Sequence, residues 1–260
     1  MFLDFLRMAK GLIALAMGLM IVLTPVWAQG ETAGLMIGVG RSVITPFLDV
    51  PMAGYYYPRS ADGVHDDLYA KAVIFDDGRD QIVLIACDVV EIPRAVAEKA
   101  RERIAQQLKI PAGHVLISAT HSHTGPVMVE EYRTNLSHWI ADSVMTARSR
   151  MKPARLFTAM EQESSLPHYR RYLMQDGAVV TNPGFLNQKV IKPLGPIDPR
   201  VGLLYAVDAL EQPLMSWVNY AMHQDTVGGT LISADYAYFL SQLLGRVKGP
   251  GRASYPDPCP

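Results

Sequence analysis

Two histidines separated by one residue, His121 and His123, follow an apolar segment directly, in the sequence SATHSHTGP. If strand geometry continues through them, residues two apart point to the same side, and both imidazoles lie on one face. Neutral imidazole binds zinc, copper, iron and nickel, and zinc is the usual choice for hydrolysis. The pair could therefore share a metal ion, or divide metal binding and proton transfer between its members. The alternative is two exposed loop histidines.

A third histidine, His223, ends the later apolar segment LMSWVNYAM and is followed by a glycine-rich loop. Ser233 and Asp235 come after that loop, where a helix is predicted to begin. Ser233 is suited to be the N-cap of this helix. Held near a metal ion, its hydroxyl could instead bind or attack a carbonyl group. We expect Asp235 to support the metal site without binding the ion itself.

Three further side chains are candidates for the same site. Arg170, in the segment HYRRY, could bind a carboxylate or a phosphate, and the alternative is a solvated loop residue. His65 precedes a predicted strand and is expected to reach the same pocket. Asp88, at the end of another predicted strand, is a candidate carboxylate for orienting a ligand histidine. The other histidines are interpreted as surface or structural residues: His114, His138 and His168.

The sequence also excludes several classes of function. It contains no GxSxG nucleophile elbow and no HExxH zinc motif. The chain lacks the succession of eight strand-helix units that an amidohydrolase barrel needs. The formal net charge is −1 and no cluster of Lys and Arg stands out, so nucleic acid is not an expected partner.

The elements that must position these side chains follow from the hydrophobic pattern. Leu35–Ile44 is predicted to be a first strand, and Leu68–Phe75 and Gln81–Val90 form a hairpin around the turn dipeptide Asp77-Gly78. A helix is predicted to begin at Pro93, a favoured position for proline. His114–Ala119 returns as a strand. Apolar residues at helical spacing predict the first helix and a second one: Val96, Ala100, Ile104 and Leu108, then Leu136, Ile140, Val144 and Ala147.

Later strands follow one another without an intervening helix. They are predicted at Arg155–Met160, Gly202–Val207 and Leu214–Tyr220, residues 182–199 are predicted to be irregular, and residues 235–244 helical. Because strands and helices alternate at first and strands then succeed each other, we predict an α/β fold with an α+β tendency. Its architecture is expected to be a mixed β-sheet sandwich flanked by helices, not a doubly wound parallel fold.

The first 28 residues are predicted to be a secretory signal peptide. Arg7 and Lys10 form a basic start, Leu12–Leu23 is almost wholly apolar, and small residues precede a cut after Ala28. The alternative is a membrane anchor, although the run is short of the roughly 20 residues that a spanning helix needs. Both interpretations imply export, so we expect a periplasmic or secreted protein.

Residues 29–248 are expected to form one catalytic domain, and residues 249–260 an irregular tail. The sequence GRVKGPGRASYPDPCP at the end has no apolar period. A flexible tail would have this composition. A natural domain that continues beyond Pro260 would also produce it, so the fold is expected to be incomplete at its C-terminus.

Four segments, in the same order, resemble the neutral (non-lysosomal, alkaline) ceramidase family in its N-terminal catalytic region. The resemblance runs from about Gly38 to Gly251, and residues 182–199 are most similar to small bacterial relatives. SATHSHTGP is similar to the family's T-H-T-H-S-G-P motif. The remaining segments are GVGRSVITP, the stretch that contains GYYY and GVHDDLYAKA, and NYAMHQDTVGGTLISADY.

The resemblance implies a catalytic zinc ion with His121 and His223 as two of its ligands. In the family the remaining ligands, a Glu and a Tyr, come from beyond the I-S-x-D segment. The resemblance also implies a catalytic part for Ser233. It implies a substrate-binding part for Arg170, although Tyr169 stands where the family has Asn. His123 is then the candidate for proton transfer.

The sequence therefore predicts zinc-dependent hydrolysis of an amide bond, with an N-acyl lipid such as ceramide as the substrate. Peripheral contact with a membrane surface goes with such a substrate. Whether a serine or a zinc-bound water is the nucleophile stays open. One alternative is a non-catalytic exported remnant or binding protein, because only two of the four family ligands are present. Another is an esterase or a different amidase of the same fold.

Overall fold

The computed structural model describes residues 34–247. The predicted signal peptide (1–28) and the predicted tail (249–260) lie outside these residues. The described helices are α1 (Arg94–Leu108), α2 (Glu130–Ser149) and α3 (Tyr236–Val247). The described strands are β1 (Met36–Val43), β2 (Gly63–Val64), β3 (Tyr69–Asp76), β4 (Gln81–Cys87), β5 (Val115–Ala119), β6 (Lys152–Gln162), β7 (Arg171–Met174), β8 (Val179–Thr181), β9 (Val190–Pro193), β10 (Arg200–Asp208), β11 (Pro213–Tyr220) and β12 (Leu231–Ile232).

Seven of these strands form one mixed sheet in the spatial order β11-β10-β6-β1-β3-β4-β5. Within this sheet β4 and β5 pair in parallel, and the other neighbouring pairs are antiparallel. Strands β8, β7 and β9 form a small antiparallel sheet, and β12 pairs with β2 in parallel. The predicted fold class, a mixed sheet with α+β character, is confirmed.

Helices α1 and α2 cover one face of the sheet, and that face carries the fully buried apolar residues of β3 and β4. Side chains alternate between the two faces of a strand. Ile74 and Ile85 point towards the helices and are fully buried, whereas Ile82 points to the other face and is half exposed. The helices contribute fully buried side chains to the same core, including Ile104, Leu136 and Ile140.

Glycine in β1 allows α2 to lie directly on the sheet. A Cβ atom at Gly38 would come within 2.1 Å of the carbonyl oxygen of Ala147 in α2. The close contact therefore requires the missing side chain. It explains why the first strand, predicted from its apolar pattern alone, carries a glycine on the face that packs against a helix.

The sequence and the structure differ mainly between β6 and β10. Residues 182–199 were expected to be irregular, but Val190–Pro193 pairs with β7. Strands β7 to β9 have only three or four residues each, so none of them shows enough alternation to be recognised in the sequence. This small sheet matters for the site because Arg170 directly precedes β7.

The parallel pair β4–β5 positions the first two histidines. Cys87 at the end of β4 pairs with Ala119 at the end of β5, so the chain leaves both strands at the same edge of the sheet. The next backbone amides continue the contact: Thr120 donates to the carbonyl of Cys87 at 2.9 Å, and His121 donates to that of Val89 at 3.0 Å.

Two smaller findings bear on the predictions. Cys87 is fully buried, as a small apolar residue in a strand is expected to be. Within residues 34–247, no helix combines the length and the apolar character that crossing a membrane requires.

Candidate metal centre and active site

His121 stands just after β5 with a left-handed backbone, at φ 71°. Strand geometry therefore does not continue through the histidine pair, contrary to the expectation from the sequence. A residue with a side chain adopts this conformation at a cost in free energy, and such positions cluster at functional sites. Nδ1 of His121 lies 2.8 Å from the carbonyl oxygen of Val90. Because a carbonyl only accepts, Nδ1 carries the proton and Nε2 presents a lone pair.

The two imidazoles nevertheless meet, because the loop turns the second ring back towards the first. Nε2 of His123 lies 3.3 Å from Nε2 of His121. That is a hydrogen-bond distance, and it is also about the 3.3 Å edge of a tetrahedral zinc site with Zn–N bonds of about 2.05 Å. The separation therefore suits two imidazoles that bind one ion, or one that binds it beside one that transfers protons.

His223 completes the cluster from a distant part of the chain. It follows β11, and its ring centroid lies 4.9 Å from that of His121 and 4.6 Å from that of His123. Ligand atoms of the three histidines all lie within 4.8 Å of one another. Nη1 of Arg170 lies 3.2 Å from Nε2 of His223 and donates to it, so this nitrogen also presents a lone pair.

The loop that contains GYYY packs against His123. Gly54 has a left-handed backbone at φ 97°, and a Cβ atom there would lie 2.6 Å from Cγ of His123. Arg59, nearly buried, donates to the carbonyl oxygens of His123 at 2.6 Å, Ala53 at 2.9 Å and Gly229 at 2.6 Å. One guanidinium thereby joins this loop, the histidine loop and the glycine-rich loop after His223.

Asp225 adds the carboxylate of the site. It accepts a hydrogen bond from the phenol of Tyr55 at 2.8 Å, and its other oxygen lies 3.7 Å from Nδ1 of His123. The guanidinium carbon of Arg59 lies 3.7 Å from the centroid of the Tyr55 ring. The rings of Tyr55 and His123 meet edge-on, with their centroids 5.8 Å apart.

The surroundings of His123 and His223 favour their neutral form, which is the form that binds metal ions. Burial lowers the pKa of His123, with smaller contributions from the nearby His121, Arg170 and Arg59, while Asp225 acts in the opposite direction. Burial also lowers the pKa of His223, and the neighbouring histidines and Arg170 add to the effect.

Ser233 lies behind the cluster in the core. It is fully buried, its hydroxyl donates to Asp66 at 2.5 Å, and it accepts from the amide of Asp235 at 3.0 Å. Its carbonyl accepts from the hydroxyls of Ser122 and Thr124, at 2.7 and 2.8 Å. Ser233 thus fixes the histidine loop to the segment that begins α3. Its predicted catalytic part stays a prediction.

Two residues predicted to support the site, Asp235 and His65, have different contacts. Asp235 accepts from the amides of Thr226 and Val227, at 2.9 and 2.8 Å, and so holds the loop that follows His223. His65 contacts other groups: its Nδ1 lies 2.8 Å from the carboxylate of Asp66, and its ring packs near Tyr238 and Phe239.

Asp88 requires a correction. Its fully buried carboxylate accepts from the amide of Tyr69 at 3.0 Å and from Nζ of Lys71 at 2.8 Å. The group that orients the ring of His121 is the carbonyl of Val90, not Asp88. Sequence position alone could not distinguish the two, because both groups lie at the end of the same strand.

Three functional candidates were not recognised from the sequence: Tyr55, Arg59 and Asp225. Asp225 had a signal, since it stands two residues after His223 in the segment HQD. Tyr55 lies in the GYYY segment, which carries part of the family resemblance but no sign of a role for this tyrosine. Arg59 carried no signal, because a buried arginine that binds carbonyl groups looks like any loop arginine in a sequence.

A metal ion suits these donors. Two neutral imidazoles present lone pairs from Nε2, and the third ring lies within reach of the same point. The buried Nδ1 of His123 has no hydrogen-bond partner among the described residues. A ring whose Nε2 faces an ion or a reacting proton carries its own proton on Nδ1, directed here at Asp225.

Comparisons with known proteins show which family the chain resembles. The sequence model of the family described as neutral/alkaline non-lysosomal ceramidase, N-terminal, matches residues 35–158. A curated neutral ceramidase from Pseudomonas aeruginosa is 26% identical over 233 residues, which cover 80% of this chain and 33% of the relative. The chain therefore spans about a third of the length of the curated relative that it matches.

Solved structures show the same fold. A crystal structure of neutral ceramidase from Pseudomonas aeruginosa matches with a TM-score of 0.66 and 22% identity, over 83% of this chain and 37% of that one. A ceramidase complexed with C2 matches with a TM-score of 0.64 and 22% identity, over 84% and 36%. The resemblance predicted from four sequence motifs is confirmed: residues 35–158 match the model of the neutral/alkaline non-lysosomal ceramidase family, and the chain is similar to neutral ceramidase in sequence and in fold.

Proposed function

We propose that the protein is a zinc-dependent amidase that hydrolyses an N-acyl lipid such as ceramide. The observation that carries the proposal is the convergence of His121, His123 and His223 at the edge of a sheet with the ceramidase fold. The name of the curated relative, neutral ceramidase, supports the substrate class. The arrangement of hydrogen-bond donors and lone pairs supports a cation at the cluster.

In this proposal His121 and His223 hold zinc through Nε2. Zinc, when bound, polarises the amide carbonyl and lowers the pKa of a bound water to about 7. His123 takes up a proton at its Nε2 and delivers one to the leaving nitrogen. The 3.3 Å distance from Nε2 of His123 to Nε2 of His121 supports this role, because that atom is then next to the proposed metal ligand.

Arg170 holds a polar group of the substrate next to His223. Its guanidinium is exposed and lies 3.2 Å from that ring, so a substrate oxygen can replace the ring as its hydrogen-bond acceptor. Ser233 acts indirectly in this proposal. Its buried hydroxyl is engaged by Asp66, and its carbonyl fixes the loop that carries His121 and His123.

The test is a substrate panel on the purified chain after zinc has been added in a stoichiometric amount. N-acyl sphingosines of different chain length are compared with the corresponding esters and with short N-acyl amines. We expect release of the fatty acid from the N-acyl lipids, and loss of that release with a chelator. Preferential cleavage of the esters would replace the amidase by an esterase of the same fold. A chain that binds no zinc and cleaves nothing would contradict the proposal.

The nucleophile is identified in a separate measurement. Turnover in water labelled with oxygen-18 places the label in the fatty acid whether attack is by water or through an acyl-serine. Mass spectrometry of rapidly quenched protein distinguishes the two routes, because only an acyl-serine adds the mass of the acyl chain to the protein. We expect no such adduct on Ser233, since its side chain is fully buried.

We also propose that the protein contacts a lipid surface through the GYYY loop. Tyr56 is fully exposed and Tyr57 is mostly exposed, and the ring of Tyr57 lies 5.4 Å from that of Tyr55 beside the cluster. Tyrosine is favoured at lipid–water interfaces. In flotation with phosphatidylcholine vesicles, a double variant with Tyr56→Ser and Tyr57→Ser should bind several-fold less than the unchanged protein. Equal binding would contradict this contact.

Export remains part of the proposal. The basic and apolar pattern of the first 28 residues supports it. Expression in a bacterial host and mass spectrometry of the exported protein should give an N-terminus at Gln29. A chain that keeps Met1 in the cytoplasm would contradict export.

A further inference from the structure

Asp225 lies between the side chains of Tyr55 and His123. Its Oδ1 accepts from the phenol of Tyr55 at 2.8 Å, and its Oδ2 lies 3.7 Å from Nδ1 of His123. That Nδ1 is buried and has no hydrogen-bond partner in the part of the chain that the structure describes. A buried polar atom without a partner costs free energy, so an acceptor is needed at this place. The carboxylate that faces it belongs to Asp225.

Proton transfer at Nε2 of His123 depends on the protonation of Nδ1 in the same ring. The ring must keep its proton on Nδ1 while Nε2 is free to accept one. A carboxylate at Nδ1 holds the ring in that tautomer and stabilises the cation that forms during transfer. An oxygen that moves about 0.7 Å closer from its 3.7 Å distance reaches hydrogen-bond range.

We propose that Asp225 is a positioning residue that fixes the tautomer and the orientation of His123, and that Tyr55 fixes Asp225 in turn. The inference rests on the proposed function, in which His123 transfers protons. It adds to that function a series of three neighbouring side chains: Tyr55, Asp225 and His123.

Neighbouring residues hold these three side chains in place at both ends of the series. The guanidinium of Arg59 lies 3.7 Å above the ring of Tyr55, and burial together with the bond to Asp225 raises the pKa of that phenol, which keeps it a donor. On the other side, Asp235 accepts from the backbone amides of Thr226 and Val227, directly after Asp225. The carboxylate therefore has little freedom to turn away from His123.

The first test is kinetic. Asp225→Asn keeps the shape of the side chain and an oxygen for Tyr55, but it removes the negative charge. We expect kcat to fall roughly 10²- to 10⁴-fold while KM stays within about threefold and one zinc ion per chain is still bound. Tyr55→Phe should reduce kcat by about 10-fold, as loss of an indirect support does. Asp142→Asn, at an exposed carboxylate on α2, is the matched control.

The second test does not depend on activity. Nitrogen-15 chemical shifts of the histidine rings report which nitrogen carries the proton. We expect His123 in the unchanged protein to carry it on Nδ1, and Asp225→Asn to give a mixture of tautomers. Asp142→Asn should leave the shifts unchanged.

The outcomes separate the two proposals. If Asp225→Asn leaves both kcat and the tautomer of His123 unchanged, or changes KM alone, the positioning role is wrong. If the unchanged protein has no amidase activity, the proposed function fails, and the tautomer measurement still decides the role of Asp225. Should Asp225→Asn fail to fold, Tyr55→Phe tests the same three side chains from the other end. Its readouts are again kcat and the tautomer of His123.

Discussion

Gly54 and His123 are in such close contact that no side chain fits between them. A Cβ atom at position 54 would lie 2.6 Å from Cγ of the histidine, on a backbone with φ 97°. The contact fixes one side of the ring that we assign to proton transfer. It also makes position 54 sensitive to substitution for two separate reasons, the backbone conformation and the lack of space.

Gly54→Ala should therefore destabilise the protein and displace His123. The left-handed backbone costs about 1–2 kcal/mol for a residue with a Cβ atom, and the overlap adds about 1–3 kcal/mol. Gly78→Ala is the control, since Gly78 has φ 84° and open space around it. Urea denaturation of both variants should show a larger loss of unfolding free energy at position 54. Equal losses would mean that the ring moves aside without cost.

Arg170→Gln should raise KM for the N-acyl substrate about 10-fold or more, because the variant loses a charged hydrogen bond to the substrate. Zinc affinity should not fall, because Nε2 of His223 is released from the guanidinium. Arg171→Gln, at the neighbouring exposed arginine in β7, is the matched control. Steady-state kinetics and zinc titration check both expectations. A KM that stays at its original value would remove Arg170 from the substrate site.

Asp88→Asn should change how stability depends on pH. Burial raises the pKa of Asp88 above its ordinary value, so the folded protein binds a proton more readily than the unfolded chain, whose carboxyl has a pKa of about 3.9. The stabilisation from that proton is fully present below the unfolded pKa and is lost as pH rises through the folded pKa. Asparagine does not titrate and keeps a neutral group in place.

The measurement is urea denaturation of both proteins between about pH 4 and pH 8. The unfolding free energy of the variant relative to the unchanged protein should increase with pH. Asp142→Asn shows the effect of removing an exposed carboxylate. A difference that does not vary with pH for Asp88→Asn would contradict the expectation, and would indicate that Lys71 balances the burial of the carboxylate.

His121→Ala and His223→Ala should each weaken zinc binding by more than about 100-fold. Loss of a group that only orients a metal ligand costs up to about 100-fold, and loss of the ligand itself should cost more. His123→Ala should still bind one zinc ion but lose about 10²- to 10⁴-fold in kcat. His168→Ala is the control, at an exposed histidine on the segment before β7. Titration against a fluorescent chelator measures the affinities. If His123→Ala also loses zinc, the site has three imidazole ligands and proton transfer belongs to another group.

The sequence predicted the scaffold better than the site. Helices α1 and α2 were recognisable because their apolar residues recur at helical spacing over several turns. The sequence predicted that the histidines of the site lie together, but not the backbone geometry that brings them together. His121 and His123 were expected to share the face of a strand, but β5 ends at Ala119 and a left-handed residue brings the rings together.

What the sequence could not supply were contacts between distant segments. The hydrogen bond between Tyr55 and Asp225 joins residues 170 positions apart. The support for His121 comes from a backbone carbonyl, at Val90, and every residue has one. Such contacts depend on the path of the chain in space, which periodicity does not encode.

The three histidines come from opposite ends of the seven-stranded sheet. His121 and His123 lie at the end of the parallel pair β4–β5, whereas His223 lies roughly a hundred positions farther along. It follows β11, which pairs with β10, and β10 pairs with β6. The cluster is therefore complete only when the whole sheet has formed. Zinc uptake by a refolding chain should coincide with the last cooperative folding step, so bound metal would serve as a measure of correctly folded protein.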